Sequence, residues 1–292
     1  MNRIIFAFTL ILTSLATAQD NLRPSLETTY SAWREAMIRK DVSVWQRVTA
    51  ESRRVEVRNR ILAEKQPFPA AVFNLPSPPP SLQGLKFLEA KQKGPTAKAS
   101  YFGKVDFGVG GDPTENLLVL SFIKGSGGWL YDRADFVNLT ALATVRKELA
   151  AGNLKYLNET PEAQPSGVVP PTPIAAGPAK YIAKVYVFCP GREVKVQINK
   201  ISAHRFANAK EAEVVIGGAK EGSNEIQYAI TKLEGGTGKE AMTIRVYLMS
   251  EVEGTQPIKA FEYQLAEGDK LKSYGTETFT LDAATISKLT GN

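Results

Sequence analysis

Between Leu117 and Phe136 the chain reads LLVLSFIKGSGGWLYDRADF, with apolar positions on both faces of one extended run. Leu117, Val119 and Ile123 point one way, and Leu118, Leu120 and Phe122 point the other. A strand apolar on both faces has to be covered on both faces. Lys124-Gly-Ser-Gly-Gly128 supplies residues that tolerate positive φ, so a tight reversal is predicted, with Trp129, Leu130, Tyr131 and Phe136 returning along the sheet. Upstream, Leu85–Lys91 and Thr96–Phe107 read as strands. In the second of these Ala97, Ala99, Tyr101, Val105 and Phe107 share one side, and Lys98, Ser100, Phe102, Lys104 and Asp106 the other. Gly108–Pro113 reads as a turn, which completes a run of about four antiparallel strands.

Ahead of these strands the apolar period is helical. Pro24-Ser25 is predicted to open a helix whose Leu26, Tyr30, Trp33 and Met37 form one face. Asp41 caps a second helix carrying Val44, Trp45 and Val48, and Ser52–Lys65 reads as a third with Val55, Ile61 and Leu62 inward. Pro67–Pro80 holds six prolines and is expected to cross in an extended path, because proline fixes φ and cannot donate to a ladder. After the strands, Leu139–Ala151 reads as a short helix stopped by Gly152. Helices followed by a meander predict an α+β cone over residues 19–152, with helices on one face of a curved antiparallel sheet.

The composition then shifts. Asn158–Pro178 is rich in proline, without periodicity and poor in charge, so residues 153–179 are expected to form a Pro-rich linker. Residues 180–292 read as all strand: Tyr181–Phe188, Val194–Ile198, Val214–Ile216, Ile226–Leu233, Met242–Leu248, Ile258–Leu265 and Phe279–Leu281. Seven short strands separated by glycine turns predict an all-β immunoglobulin-like sandwich.

Three features of the N-terminal part carry a resemblance. They are Ala32-Trp33, Ala36-Met37 and Asp41 at the end of the first helix, the Pro-rich passage into the sheet, and the closing Gly128-Trp129-Leu130-Tyr131-Asp132. Together they resemble the nuclear-transport-factor-two-like superfamily, which includes SnoaL-like proteins and ketosteroid isomerases. The resemblance spans about Leu26–Leu139. It implies the cone fold and, in enzymatic members, an Asp, Tyr or His set inside the cone. The one histidine, His204, lies outside that region, leaving Tyr101, Asp106, Tyr131 and Asp132 as conceivable acid–base groups. Each has a plain alternative as a strand-end, turn or surface residue, and a fold does not settle a function.

Charge and targeting signals narrow the setting. Met1–Ala18 reads as a signal peptide, with Arg3, the apolar run Ile4–Leu15 and Ala16-Thr17-Ala18 before a cleavage after Ala18. That predicts a periplasmic or extracellular protein, and no later segment is long and apolar enough to span a bilayer. The net charge of +6 is spread along the chain without a basic, aromatic-interleaved patch, so no nucleic-acid partner is expected. Cys189 is the single cysteine, excluding an internal disulfide, and it sits at the end of an apolar strand as a structural thiol.

No motif for a cofactor or metal stands out. Gly235-Gly-Thr-Gly-Lys239 lacks the spacing of a phosphate loop and reads as a hairpin turn. One Cys and one His cannot furnish a zinc site, and no nucleophile elbow accompanies the histidine. The leading expectation is therefore an exported, non-catalytic protein of the bacterial cell envelope, binding a protein or glycan. The alternative is a small-ligand or acid–base site in the cone, lined by Tyr30, Trp33, Tyr101, Asp106 and Trp129. A third reading is attachment to anionic partners through Arg53, Arg54, Arg58 and Arg60, set against the plainer one of a solvated helix face.

Overall fold

The computed structural model describes residues 22–105 and 113–291, so the signal-peptide pattern, Asp106 and Phe107 lie outside the described residues. The chain forms two compact units, Met1–Val55 with Val72–Pro173, and Glu56–Ala71 with Ile174–Asn292. Six α-helices and three antiparallel sheets are present among the described residues.

In the first unit, α1 (Leu22–Arg39) is already helical two residues before the expected Pro24, which therefore occupies the first turn, where a missing N–H costs little. Asp41 caps α2 (Val42–Val48), its Oδ1 accepting the Val44 N–H at 3.0 Å. Next comes α3 (Glu51–Ala63), whose residues are shared between the units. The proline-rich passage is not extended throughout, since Ala70–Phe73 makes a 3-10 turn that buries Val72 and Phe73.

Four strands, β1 (Lys86–Lys93), β2 (Thr96–Val105), β3 (Thr114–Gly125) and β4 (Gly128–Asn138), pair as an antiparallel meander in chain order. The Gly-rich reversal is where the pattern put it, with Gly125 opposite Gly128 and Gly128 at φ 133°. Residues 117–123 of β3 are all buried, which requires cover on both faces. Leu22, Leu26 and Tyr30 pack on Ala97, Ala99, Tyr101, Leu118, Leu120 and Phe122. On the opposite face Phe102, Leu117 and Val119 meet Leu139, Leu149, Leu157 and Ala163. Leu139 directly follows β4, and the others come from α4 (Ala143–Ala151), α5 (Lys155–Glu159) and a 3-10 turn at Pro161–Ala163. Helices thus cover both faces, not the single face expected, because the apolar side chains of β3 alternate to both. Within 153–179, Leu157 and Ala163 are buried. Further along the same stretch residues 171–175 are exposed, so only its first part packs on the sheet.

The second unit contains two four-stranded antiparallel sheets. One runs β11-β10-β5-β8, from β11 (Ile258–Leu265), β10 (Met242–Leu248), β5 (Ala183–Phe188) and β8 (Lys210–Val214). The other runs β12-β9-β6-β7, from β12 (Tyr274–Leu281), β9 (Gly222–Lys232), β6 (Arg192–Ile198) and β7 (Ser202–Ala207). A single apolar cluster joins Val185, Val187, Ile244 and Val246 of the first to Val194, Val196, Ile226 and Phe279 of the second. Each such fully buried side chain stabilises by roughly 1.5–3 kcal/mol relative to exposure.

Two elements depart from the all-strand expectation. Ser202–Ala207 is an additional strand, unread because its inward positions are Ser202, His204 and Phe206 and only the last is apolar. Residues 283–290 form α6 (Ala283–Thr290), capped by Asp282 and closed by Gly291 at φ 77°, so the C-terminal part is not all-β. Among the described residues no helix is long and apolar enough to cross a membrane.

Candidate functional site

Strand alternation gives the β12-β9-β6-β7 sheet a buried face and an outward face. Register on the outward face sets two rows across the strands. One is Ala203–Gln197–Gln227–Thr276 and the other Arg205–Lys195–Ala229–Tyr274. Strands lie about 4.8 Å apart, so four of them present roughly 14 Å of continuous face. Short Ala203 and Ala229 leave a floor between longer neighbours, and a groove of about 530 Å³ results.

The floor depends on what lies beneath it. A Cβ on Gly275 would come within 2.5 Å of the Tyr228 ring and hydroxyl, so glycine there lets the Tyr228 ring lie under β12. Tyr228 in turn meets Tyr263 at a tilt, with centroids 4.9 Å apart. Above the floor Tyr274 is 75% exposed and stands as an aromatic wall. The Gln197 amide and the Thr276 hydroxyl make no hydrogen bond among the described residues, and Gln227 donates from Nε2 to Glu225 Oε1 at 3.0 Å. Glu193 takes Arg205 at 2.8 Å from Nε and 2.5 Å from Nη2, and Lys195 at 3.4 Å. The Arg205 guanidinium and Lys195 hold the Glu193 carboxyl below the usual carboxylate range. The lining contains these two cations and no carboxylate.

A second constellation sits on the buried side of the same sheet. Ile216 N–H donates to Ser202 Oγ at 2.7 Å, Ser202 Oγ lies 2.7 Å from His204 Nε2, and His204 Nδ1 lies 2.6 Å from Glu213 Oε2. The hydrogen bond to His204 lowers the Glu213 pKa, with a smaller contribution from the Arg60 charge. With Glu213 ionised, Nδ1 carries the imidazole hydrogen, and Nε2 accepts from the Ser202 hydroxyl. Every donor in the chain Ile216–Ser202–His204–Glu213 then has an acceptor. The wiring matches a serine-histidine-acid triad, yet Ser202 is fully buried and its oxygen already accepts a backbone N–H. It therefore works as a latch that ties β7 to β8. Sequence reading missed Ser202 and Glu213; the available signal was the inward parity of Ser202, His204 and Phe206.

The residues expected to line a cone site are divided. Tyr30 and Tyr101 are each 1% exposed, and their hydroxyls donate to Pro80 O at 2.8 Å and Glu27 Oε1 at 2.9 Å. Burial pushes both hydroxyl pKa values up, and for Tyr101 the Glu27 carboxylate adds to it. Trp33 is half-buried, stacks on Tyr30 at 5.8 Å and meets Tyr131 at a tilt at 4.1 Å, so these rings fill space together. Trp129 is half-buried near the hairpin turn, 5.6 Å from Lys124 Nζ, and Asp106 lies outside the described residues. Tyr131 is buried, and Asp132 meets Arg133 at 3.1 Å beside a β-bulge. A smaller hollow of about 270 Å³ adjoins Pro78–Pro80, Arg34 and Lys104, and Arg34 donates to Pro79 O at 2.8 Å.

The arginines of α3 do not form one patch. At 100° per residue Arg53 and Arg60 lie on one side of the helix, and Arg54 and Arg58 roughly 130° away. Arg58 donates to Ala176 O at 2.8 Å, beside Asn59, which bridges Ile174 O and Ala176 N at 2.8 and 2.9 Å. The Arg54 Nε is buried without a hydrogen-bond partner, Arg53 is engaged, and Arg60 is exposed.

The Gly235–Lys239 turn explains itself in the same way. Glu240 accepts from the Thr237 and Gly238 N–H groups at 2.5 and 2.9 Å, and backbone donors, its own N–H first, hold its carboxyl at about 2. Buried Arg192 fixes the turn from below through Gly238 O at 2.8 Å and Glu240 O. The turn's N–H groups are thus occupied by its own carboxylate. Cys189 is buried, and burial pushes its thiol pKa up. Compared with protein families, with curated proteins and with solved structures, the chain matches none.

Proposed function

We propose that this chain is an exported, non-catalytic protein of the cell envelope that binds glycan through the outward face of the β12-β9-β6-β7 sheet. The single observation that carries the reading is the groove. It combines an exposed aromatic ring, unpaired amide and hydroxyl groups, and a floor of small residues on one rigid sheet. Flat sugar rings offer C–H faces to an aromatic side chain and adjacent hydroxyls to amides, so the two rows supply complementary chemistry. A peptide adding as a strand would need a free edge, which in this sheet belongs to β7 and β12 and not to β6 and β9 at the centre of the groove. Two facing four-stranded sheets around one core support the immunoglobulin-like assignment of this unit. Likewise, the helix-covered meander supports the nuclear-transport-factor-two-like cone for the first. Export rests on the pattern of Met1–Ala18.

A catalytic or small-ligand role for the cone draws less support, since Tyr30 and Tyr101 present almost no surface and their hydroxyls are spent. Electrophoresis of the protein through gels containing a panel of neutral and acidic polysaccharides tests the reading. At least one polysaccharide is expected to retard the wild type and to leave Tyr274→Ala unretarded. Equal mobility across the whole panel, or equal retardation of Tyr274→Ala, overturns it.

A further inference from the structure

We infer that the glycan taken by this groove is acidic, with an anionic group on the sugar seated between Lys195 and Arg205. The inference rests on the glycan reading above and goes beyond it in naming the chemical class. Its basis is the arrangement of charge at the groove. Of the residues lining it, two are cationic and none is acidic. Those cations lie on adjacent strands, Lys195 directly opposite Arg205, and both also touch Glu193.

Glu193 does not use up what they offer. Arg205 has five N–H donors and Lys195 three. Arg205 gives Nε and Nη2 to the carboxylate, and Lys195 gives one contact. About five donors therefore remain for a ligand. The trio of side chains carries a net charge of one positive unit, counting Lys195, Arg205 and the ionised Glu193. Both cations are largely exposed, at 65% and 66% of their side-chain surface, so nothing covers the donors that remain. Glu193 itself orients them: it holds two long flexible side chains at one carboxylate, which lowers the ordering cost of meeting an anion.

The rest of the row fixes where a sugar ring sits relative to that charge. Ala229 stands opposite Lys195 on one side and Tyr274 on the other. A ring stacked on Tyr274 and resting on Ala229 directs its far substituent toward Lys195 and Arg205. The second row, with Gln197, Gln227 and Thr276, lies parallel to it and meets ring hydroxyls. A neutral sugar would leave the cationic corner unmatched, and an acidic peptide would leave the aromatic and amide pattern without its partner.

Calorimetric titration of the full chain with oligogalacturonate, neutral malto-oligosaccharide and an oligoglutamate peptide tests this. Four proteins are compared: wild type, Tyr274→Ala, the pair Lys195→Gln with Arg205→Gln, and a charge-matched pair on the first unit, Lys147→Gln with Lys155→Gln. Thermal midpoints confirm that all four are folded. The expected result is preferential binding of oligogalacturonate, weakening as salt rises from about 50 to 500 mM. Binding should fall about tenfold or more in Tyr274→Ala and in the Lys195/Arg205 pair, and stay unchanged in the Lys147/Lys155 pair. If Tyr274→Ala loses binding while the Lys195/Arg205 pair keeps it, or if malto-oligosaccharide binds as well, the groove reading stands and the acidic assignment is overturned. If Tyr274→Ala binds as the wild type does, or the peptide binds as well as the saccharide, the glycan reading itself is lost. Absence of oligogalacturonate binding overturns the acidic assignment alone when the neutral saccharide binds, and both when it does not.

Discussion

At Gly275 and at Ser202 single residues decide what the second unit can do. Gly275 leaves room for the Tyr228 ring beneath β12, and so keeps the floor of the groove low. Ser202 is one link in a chain of matched donors and acceptors that ends on Glu213. Glu213 titrates below the ordinary carboxylate value of 4.5 because His204 hydrogen-bonds its ionised form. The unfolded chain thus binds the proton more readily, and stability rises with pH through the window between the two values. The contribution of Glu213 is complete above about pH 4.5 and is lost as pH falls through its folded value. In urea unfolding, the advantage of wild type over Glu213→Gln is expected to shrink as pH falls below about 4.5. An advantage that persists undiminished at the acid end contradicts the latch. This constellation was illegible in the sequence because nothing in local spacing brings Glu213 to His204. The connection between β7 and β8 carries the chain from one sheet to the other, and that crossing sets Glu213 against His204.

Among the elements, β3 was the most legible. Its two apolar faces demanded two layers of cover, and the structure supplies them from α1 on one side and α4 and α5 on the other. What the pattern did not disclose was which segments form the second layer. Leu157 and Ala163 stand among prolines and polar residues, so their stretch lacks the period that marks an amphipathic helix. The C-terminal α6 carried a readable signal in Asp282 and Gly291, overshadowed by the strands before it. Asp282 Oδ1 accepts the Thr285 N–H at 2.7 Å, and Leu289 packs into the core between the sheets. Asp282→Ala is expected to cost about 1 kcal/mol in chemical unfolding, the usual value of an N-cap. A loss below about 0.3 kcal/mol would show that core packing alone holds the helix. Of the site, Tyr274, Gln197 and Gln227 could not be read from the sequence. Outward strand positions look like any solvated face until register places them in rows.

For the whole molecule, the central claim is that ligand chemistry resides on one outward sheet face of the second unit, while the aromatic cluster of the first unit is core. Tyr30 and Tyr101 were sound candidates by residue type, yet aromatic residues at helical and strand spacing more often fill an interior than line a site. The net charge of +6 gives the chain a mild general attraction to anions, which makes local mapping more informative than affinity alone. The most direct measurement is amide chemical-shift mapping of the full chain as oligogalacturonate is added. The account predicts shifts concentrated at Lys195, Gln197, Ala203, Arg205, Gln227, Ala229, Tyr274 and Thr276. Shifts concentrated on α1, β2 and the Tyr30–Tyr101 cluster, or spread evenly over exposed lysines, would contradict it.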